Sequence, residues 1–374
     1  YMAHIRHLKS ESLSHTLKSR HIPVLGHLRG AAALAVCLYH FTGGNFIGSE
    51  NPVRVLGSYG HLGVQAFFVI SGFVIPYSLH LRSYTIQNAG SYLLRRLKRL
   101  EPPYICCIVL VICLNYISSN TPGYRGAPFS VSPEKLFAHV AYLNAILDYG
   151  WINPVFWTLA IEFQYYLFIA IAFPLLNHKK GKIRLIALLA IAMTGLIGAG
   201  NTALLPHWLP LFAVGIATYG FMIANLTLRQ FLIVLVIISC VSFAVLGFLA
   251  TLIGVLTAYM ICVFKEKQPP PVLSCLSWVG TISYSLYLVH VPIGGRVVNL
   301  AERLPNLPIY RYAAIIVAFA TSIGGAWLFW RFVELPSHHW ARNSGNEAVA
   351  PPLVINNSNV LEAELTIDNE LSKS

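Results

Sequence analysis

The sequence predicts an all-α fold: a polytopic integral membrane helical bundle of about ten transmembrane helices with both termini cytoplasmic. Three observations carry that reading. Of the 374 residues, 56% are hydrophobic and only 11% charged, a mixture too apolar for a soluble protein of this size. Apolar runs of roughly 17 to 25 residues, the length that crosses about 30 Å of hydrocarbon, recur along most of the chain. The basic residues fall in short bands between those runs and not on an aromatic-rich surface, which excludes a nucleic-acid partner despite a formal charge of +12.

The elements follow in order. Residues 1–21 form a charged cytoplasmic tail with no apolar core of their own, and the first span, 24–43, is expected to act as an uncleaved anchor. The next two spans, 60–80 and 101–119, enclose the basic loop that holds Arg82, Arg95, Arg96, Lys98 and Arg99. A Gly/Pro/Ser-rich stretch then leads into 136–149, too short to cross and read as interfacial or re-entrant. Spans at 152–176, 183–200, 205–224, 229–247, 248–265, 273–293 and 311–333 complete the bundle, and the polar, acidic residues 341–374 are expected to be a disordered cytoplasmic tail. With the N-terminus inside, this arrangement places 20 of the 26 lysines and arginines on the cytoplasmic side and leaves Arg54, Arg125, Lys135, Arg296, Arg303 and Arg311 outside. Such asymmetry is what the positive-inside rule demands.

Arg29 and His40 stand out in the first span, within RGAAALAVCLYH. Eleven positions apart on a helix, they differ by only about 20° in direction and roughly 16 Å in height, so both face the same neighbour. Each has a structural reading, Arg29 as a snorkelling anchor and His40 as a histidine bonded to a backbone carbonyl. Their shared face favours a functional one, because ionisable groups inside a membrane usually line a cavity. Glu162, in FWTLAIEFQYYLF, is a carboxylate well inside a span; it either locks the bundle through an arginine or tyrosine, or orients His40 or a substrate hydroxyl. Arg95 to Arg99 read as a topology signal or as a polyphosphate clamp, for which the guanidinium fork is suited. Ser71-Gly72 permits close helix approach and offers a hydroxyl. The seven cysteines fall in or beside apolar runs without ligand spacing, so they read as buried small hydrophobes, and no metal site is expected.

Taken together these segments resemble the membrane-bound acyltransferase 3 family, bacterial inner-membrane enzymes that O-acylate glycans and some antibiotics. LRGAAALAVCLYHF is similar to its Arg-x10-His signature, GVQAFFVISGFVI to its SGF segment, and RRLKRLEPPY to its basic motif. WTLAIEFQYYLF, SYSLYLVHVP and FVELP resemble the later blocks, so the likeness covers about residues 22–340, the acyltransferase domain, in the right order. No further periplasmic domain of the kind some relatives append is expected.

The resemblance implies an acyl-CoA co-substrate, most often acetyl-CoA, no permanently bound cofactor, and a glycan or glycolipid acceptor such as O-antigen or exopolysaccharide. It implies catalytic roles for His40, Arg29 and Glu162, and acyl-CoA contacts from Arg96, Arg99 and Ser71. His40 would act as general base on the acceptor hydroxyl or as the nucleophile of an acyl-imidazole relay. The partners are then the lipid bilayer, acyl-CoA and the acceptor, in the bacterial inner membrane. A transporter or flippase using Arg29, His40 and Glu162 as a relay is the alternative, although no internal repeat accompanies it.

Overall fold

The computed structural model describes residues 22–343 apart from 45, 123–128 and 266–269, and among them it is helical with no strand. The helices are α1 Val24–Thr42, α2 Pro52–Ser58, α3 Gly63–Leu81, α4 Ala89–Ser119, α5 Pro133–Val140, α6 Phe156–Leu176, α7 Gly181–Ile197 and α8 Leu205–Met222. They continue as α9 Leu228–Leu246, α10 Phe248–Val263, α11 Ser274–Thr281, α12 Ser283–His290, α13 Arg296–Ala301, α14 Pro308–Phe329 and α15 Leu335–Asn343. Single π-helical turns, Val291–Gly295 and Trp330–Glu334, join α12 to α13 and α14 to α15.

All ten predicted windows are helical, and six stretches among the described residues are long and apolar enough to cross a membrane: Val24–Thr42, Pro52–Leu81, Ile86–Ser119, Phe156–Leu176, Leu228–Leu246 and Pro308–Arg342. The chain is a multi-pass membrane protein. Its helices turn isoleucines and phenylalanines such as Ile171, Ile197, Ile316 and Phe332 outward, as a lipid-facing surface requires. The tail 1–21 lies outside the described residues, as does the expected tail beyond 343, while 341–343 still belong to α15.

Helix α8 is the axis of the bundle, buried from His207 to Gly220 on every side. It meets α3 backbone to backbone. A Cβ on Gly72 would stand 2.2 Å from the carbonyl oxygen of Phe212, and one on Gly215 2.2 Å from that of Val69. The close approach read from Ser71-Gly72 is therefore real, and it comes from the missing side chain. A second such crossing fixes α1 on α11, where a Cβ on Gly30 would lie 2.0 Å from the oxygen of Leu276 and one on Gly280 2.0 Å from that of Gly26.

Three expectations are corrected. The basic run is not a loop: α4 continues unbroken from Ala89 through Pro102 and Pro103 to Ser119. Residues 89–101 are rich in leucine, arginine and lysine, strong helix formers, and prolines are tolerated in membrane helices. The window 273–293 is not one helix but two, broken at Ile282, where the Ser283 hydroxyl donates to Gly280 O at 2.8 Å. The cysteines are all free, but only Cys37 and Cys107 are buried, while Cys106, Cys113, Cys240 and Cys275 are exposed. A thiol is apolar enough to be left on the outer surface of the bundle.

Candidate active site

The first helix presents Arg29 and His40 three turns apart, and each meets a different group of partners. The ring of His40 lies 5.2 Å from that of His290 and 5.1 Å from that of Tyr39, centroid to centroid. His290 is fully buried at the end of α12. Its Nδ1 is 3.0 Å from the carbonyl oxygen of Leu286, one turn back, and since a carbonyl only accepts, Nδ1 carries the proton. Nε2 is then a bare lone pair with no hydrogen-bond partner. The π turn that follows brings α1 close, because Gly294 has no side chain where a Cβ would stand 2.5 Å from Phe41 Cζ. Behind His290, the Tyr287 ring lies 5.9 Å away and its hydroxyl pairs with Thr158 Oγ1 at 2.6 Å. Both hydroxyls also reach Val155 O, Thr158 at 3.0 Å and Tyr287 at 3.3 Å, so either one can donate to the other.

Glu162 stands one turn along α6 from Thr158. It accepts hydrogen bonds from Tyr166 and, at 3.4 Å, from Ser71. The guanidinium of Arg96 lies over the rings of Tyr92 and Tyr166, 5.6 and 5.4 Å from their centroids, and lines one cavity of about 70 Å³ with Glu162, Tyr166 and Tyr284. A carboxylate next to a stacked guanidinium is how a buried charge remains tolerable in a low dielectric.

Arg29 and Arg99 belong to a third group, centred on Glu334 at the end of the second π turn. Glu334 is buried, accepts a hydrogen bond from Ser285, and interacts electrostatically with both arginines. His338 sits 3.4 Å from Glu334 and accepts from Arg99 Nε at 3.1 Å. Three elements distant in sequence thus converge around one carboxylate.

The structure therefore assembles the six singled-out residues differently from the sequence expectation. Arg29 and Arg99 come together, as do Ser71, Arg96 and Glu162, whereas His40 stands with His290. Glu162 makes no hydrogen bond to His40 among the described residues; its partners are Ser71 and Tyr166. Sequence reasoning missed Glu334, His338, Tyr287 and Thr158. Glu334 lies in the quoted FVELP block, one residue past the predicted end of the last span, and was not singled out there, although its side chain is buried. Thr158 and Tyr287 lie in the quoted blocks WTLAIEFQYYLF and SYSLYLVHVP, but as uncharged side chains they were not singled out within them. Among the described residues no three His, Cys, Asp or Glu side chains converge as metal ligands.

A family described as an acyltransferase domain matches residues 23–331 of this chain. The chain is 26% identical over 348 residues to a putative acetyltransferase, ORF330, of Acidianus two-tailed virus, covering 84% of this chain and 93% of that protein. It is 27% identical over 363 residues to the O-acetyltransferase OatA of Staphylococcus aureus (strain NCTC 8325 / PS 47), covering 85% of this chain but only 57% of the relative. No solved structure matches.

Proposed function

The chain belongs to the membrane-bound acyltransferase 3 family and is an O-acyltransferase, and from that premise we propose that it moves an acetyl group from cytoplasmic acetyl-CoA to a carbohydrate hydroxyl beyond the membrane. In this reading ten helices cross the bacterial inner membrane with both termini inside, the basic turn of α4 faces the cytoplasm and His40 lies towards the outer side.

The observation that carries the proposal is the His40–His290 pair. His290 holds its proton on Nδ1 and leaves Nε2 without a partner beside the His40 ring; in this reading that nitrogen accepts the His40 N–H when the acceptor binds, which leaves the other nitrogen of His40 as a lone pair. That nitrogen takes the proton of the acceptor hydroxyl. The hydroxyl oxygen attacks the thioester carbonyl, the carbon–sulfur bond breaks as the tetrahedral intermediate collapses, and the departing thiolate takes the proton back from the imidazolium. If the same nitrogen attacks the thioester first, an acyl-imidazole carries the acetyl group to the acceptor. Both routes need one free nitrogen on His40.

Arg29, Arg96 and Arg99 supply the positive charge for CoA phosphates at the inner end, with the Ser71 hydroxyl as a further donor. Glu162 balances Arg96, and Glu334 balances Arg29 and Arg99, so the arginines are held in place before the donor arrives. The carbohydrate acceptor rests on the family likeness.

The test is thiol release from acetyl-CoA by the purified protein in nanodiscs, with and without membrane glycan extract. Acceptor-dependent release by the wild type and its loss in a folded His40→Ala variant support the proposal. Absence of any CoA turnover with every extract overturns it, and release without acceptor selects the acyl-imidazole route.

A further inference from the structure

At the far end of α6 and α8 from the basic turn lies a second cavity, of about 390 Å³, lined by Ala145, Trp151, Trp157, Thr202, Ala203 and Trp208. Its position follows from contacts. The C-terminal halves of the two helices meet through Phe173 and Tyr219, and Tyr84, which donates to Ala170 O, joins them to Tyr92 beside the basic turn. Trp157 and Trp208 occupy the opposite, N-terminal ends. Three of the chain's seven tryptophans thus surround one opening.

The walls are fixed before any ligand arrives. Trp208 donates its indole N–H to Thr202 O at 2.9 Å, and Gln164 pins the same loop to α6 by accepting from Leu205 N at 2.8 Å and donating to Ala203 O at 3.3 Å. Trp157 rests against Trp208 at 5.2 Å, and Trp151 stands perpendicular to His139 at 5.8 Å. Ala145 and Ala203 leave the space in front of the rings open. Yet the indole N–H groups of Trp151 and Trp157 and the hydroxyl of Thr202 make no hydrogen bond to the described residues. No charged side chain lines the cavity.

We propose that this cavity is an acceptor subsite that receives one pyranose ring of a neutral carbohydrate. The inference rests on the carbohydrate acceptor proposed above. A pyranose has an apolar C–H face that lies flat on an indole and a rim of hydroxyls that the two N–H groups and Thr202 can bond. An anionic headgroup would find no counter-charge here, and an acyl chain would leave three polar groups unpaired. The subsite is also next to the chemistry. Trp157 precedes Thr158, whose hydroxyl holds Tyr287, whose ring touches His290.

The experiment measures steady-state transfer to a neutral tetrasaccharide panel (maltotetraose, cellotetraose, chitotetraose) by the full chain in nanodiscs, comparing wild type with Trp151→Ala, Trp151→Phe and Thr202→Val. The expected result is a rise of about tenfold or more in KM for the saccharide in Trp151→Ala, largely recovered in Trp151→Phe, with KM for acetyl-CoA unchanged. Unchanged saccharide KM in both Trp151→Ala and Thr202→Val overturns the subsite and leaves the acyl transfer standing. If no saccharide is acylated, the acceptor assignment itself has failed, and tryptophan fluorescence of the wild type decides the cavity. A saturable change with a tetrasaccharide that Trp151→Ala abolishes supports the subsite; a change only with phosphocholine vesicles overturns it in favour of a lipid headgroup.

Discussion

His40 and His290 lie on two different helices with their rings 5.2 Å apart, and His290 has one nitrogen committed to Leu286 O and the other without a partner. In the proposed mechanism the buried imidazole, through its free nitrogen, decides which nitrogen of the partly exposed His40 ring carries the proton. His290→Leu is expected to lower kcat by roughly 10² or more while leaving KM for acetyl-CoA unaltered, and His290→Gln, which keeps an acceptor, to recover part of it. Wild-type kcat in His290→Leu would remove the dyad from the mechanism.

Glu162 carries the hydrogen bonds of Tyr166 and Ser71 and sits by the stacked guanidinium of Arg96. Glu162→Gln keeps the shape and deletes the charge. It is expected to reduce acetyl transfer by about tenfold or more, with a melting temperature lowered by the equivalent of about 1 to 3 kcal/mol. A variant as active and as stable as wild type would reduce this cluster to packing.

Around Glu334 the expected order is Glu334→Ala worse than Glu334→Gln. Truncation leaves the partly buried Arg29 and Arg99 without a counter-charge, a loss below the ~3 to 5 kcal/mol of a fully buried broken pair, whereas the amide still meets Ser285. Thermal unfolding in detergent gives the ranking, and a raised KM for acetyl-CoA in Glu334→Gln reports the loosened arginines.

Gly72→Ala puts a methyl group 2.2 Å from the backbone of Phe212, which cannot swing aside as a side chain would. The expected cost is about 1 to 3 kcal/mol of stability, or failure to fold, while Gly324→Ala, with open space at its Cβ, is expected to be silent. Equal melting temperatures for the two variants would contradict the backbone contact.

His139 lies on α5, between the spans, and burial pushes its imidazole below the ordinary value of 6.5. Its Nδ1 meets Lys135 O at 2.8 Å and its Nε2 accepts from Ile152 N at 3.1 Å, a pattern only the neutral ring satisfies. Because the unfolded ring takes a proton first, this contribution is complete above pH 6.5 and is lost as the pH falls below that value. Melting temperature is expected to drop on acidification from pH 7 to 5, and His139→Gln to flatten part of that slope.

Helical content and the site's membrane setting were legible in the sequence because apolar runs of spanning length are set by the lipid, not by packing against distant segments. Arg29, His40, Ser71-Gly72 and Glu162 were legible for a related reason. A charge inside such a run is costly without a partner, and a small residue beside a hydroxyl there marks a place where two backbones can meet. The partnerships were not legible. That Arg99 reaches Glu334, or that His40 faces His290, depends on how α1, α4, α12 and the segment after α14 cross, and no local pattern encodes a crossing. The break at Ile282 was hidden because GTISYS is a short run of small and hydroxyl residues, which a membrane helix tolerates without interruption.

His290 immediately precedes one π turn, and Glu334 closes the other. A π turn holds one residue more than an α turn, so each is a place where the chain carries an extra unit of length. Deleting a single residue within Val291–Gly295 would close the turn to ordinary α geometry while the helix beyond it keeps its phase, so the change falls on the turn itself, where Gly294 now lets Phe41 come close. Chain length at these two turns is thus under the same constraint as residue identity, and a one-residue gap there would reshape the surroundings of His290 without altering any side chain that does its chemistry.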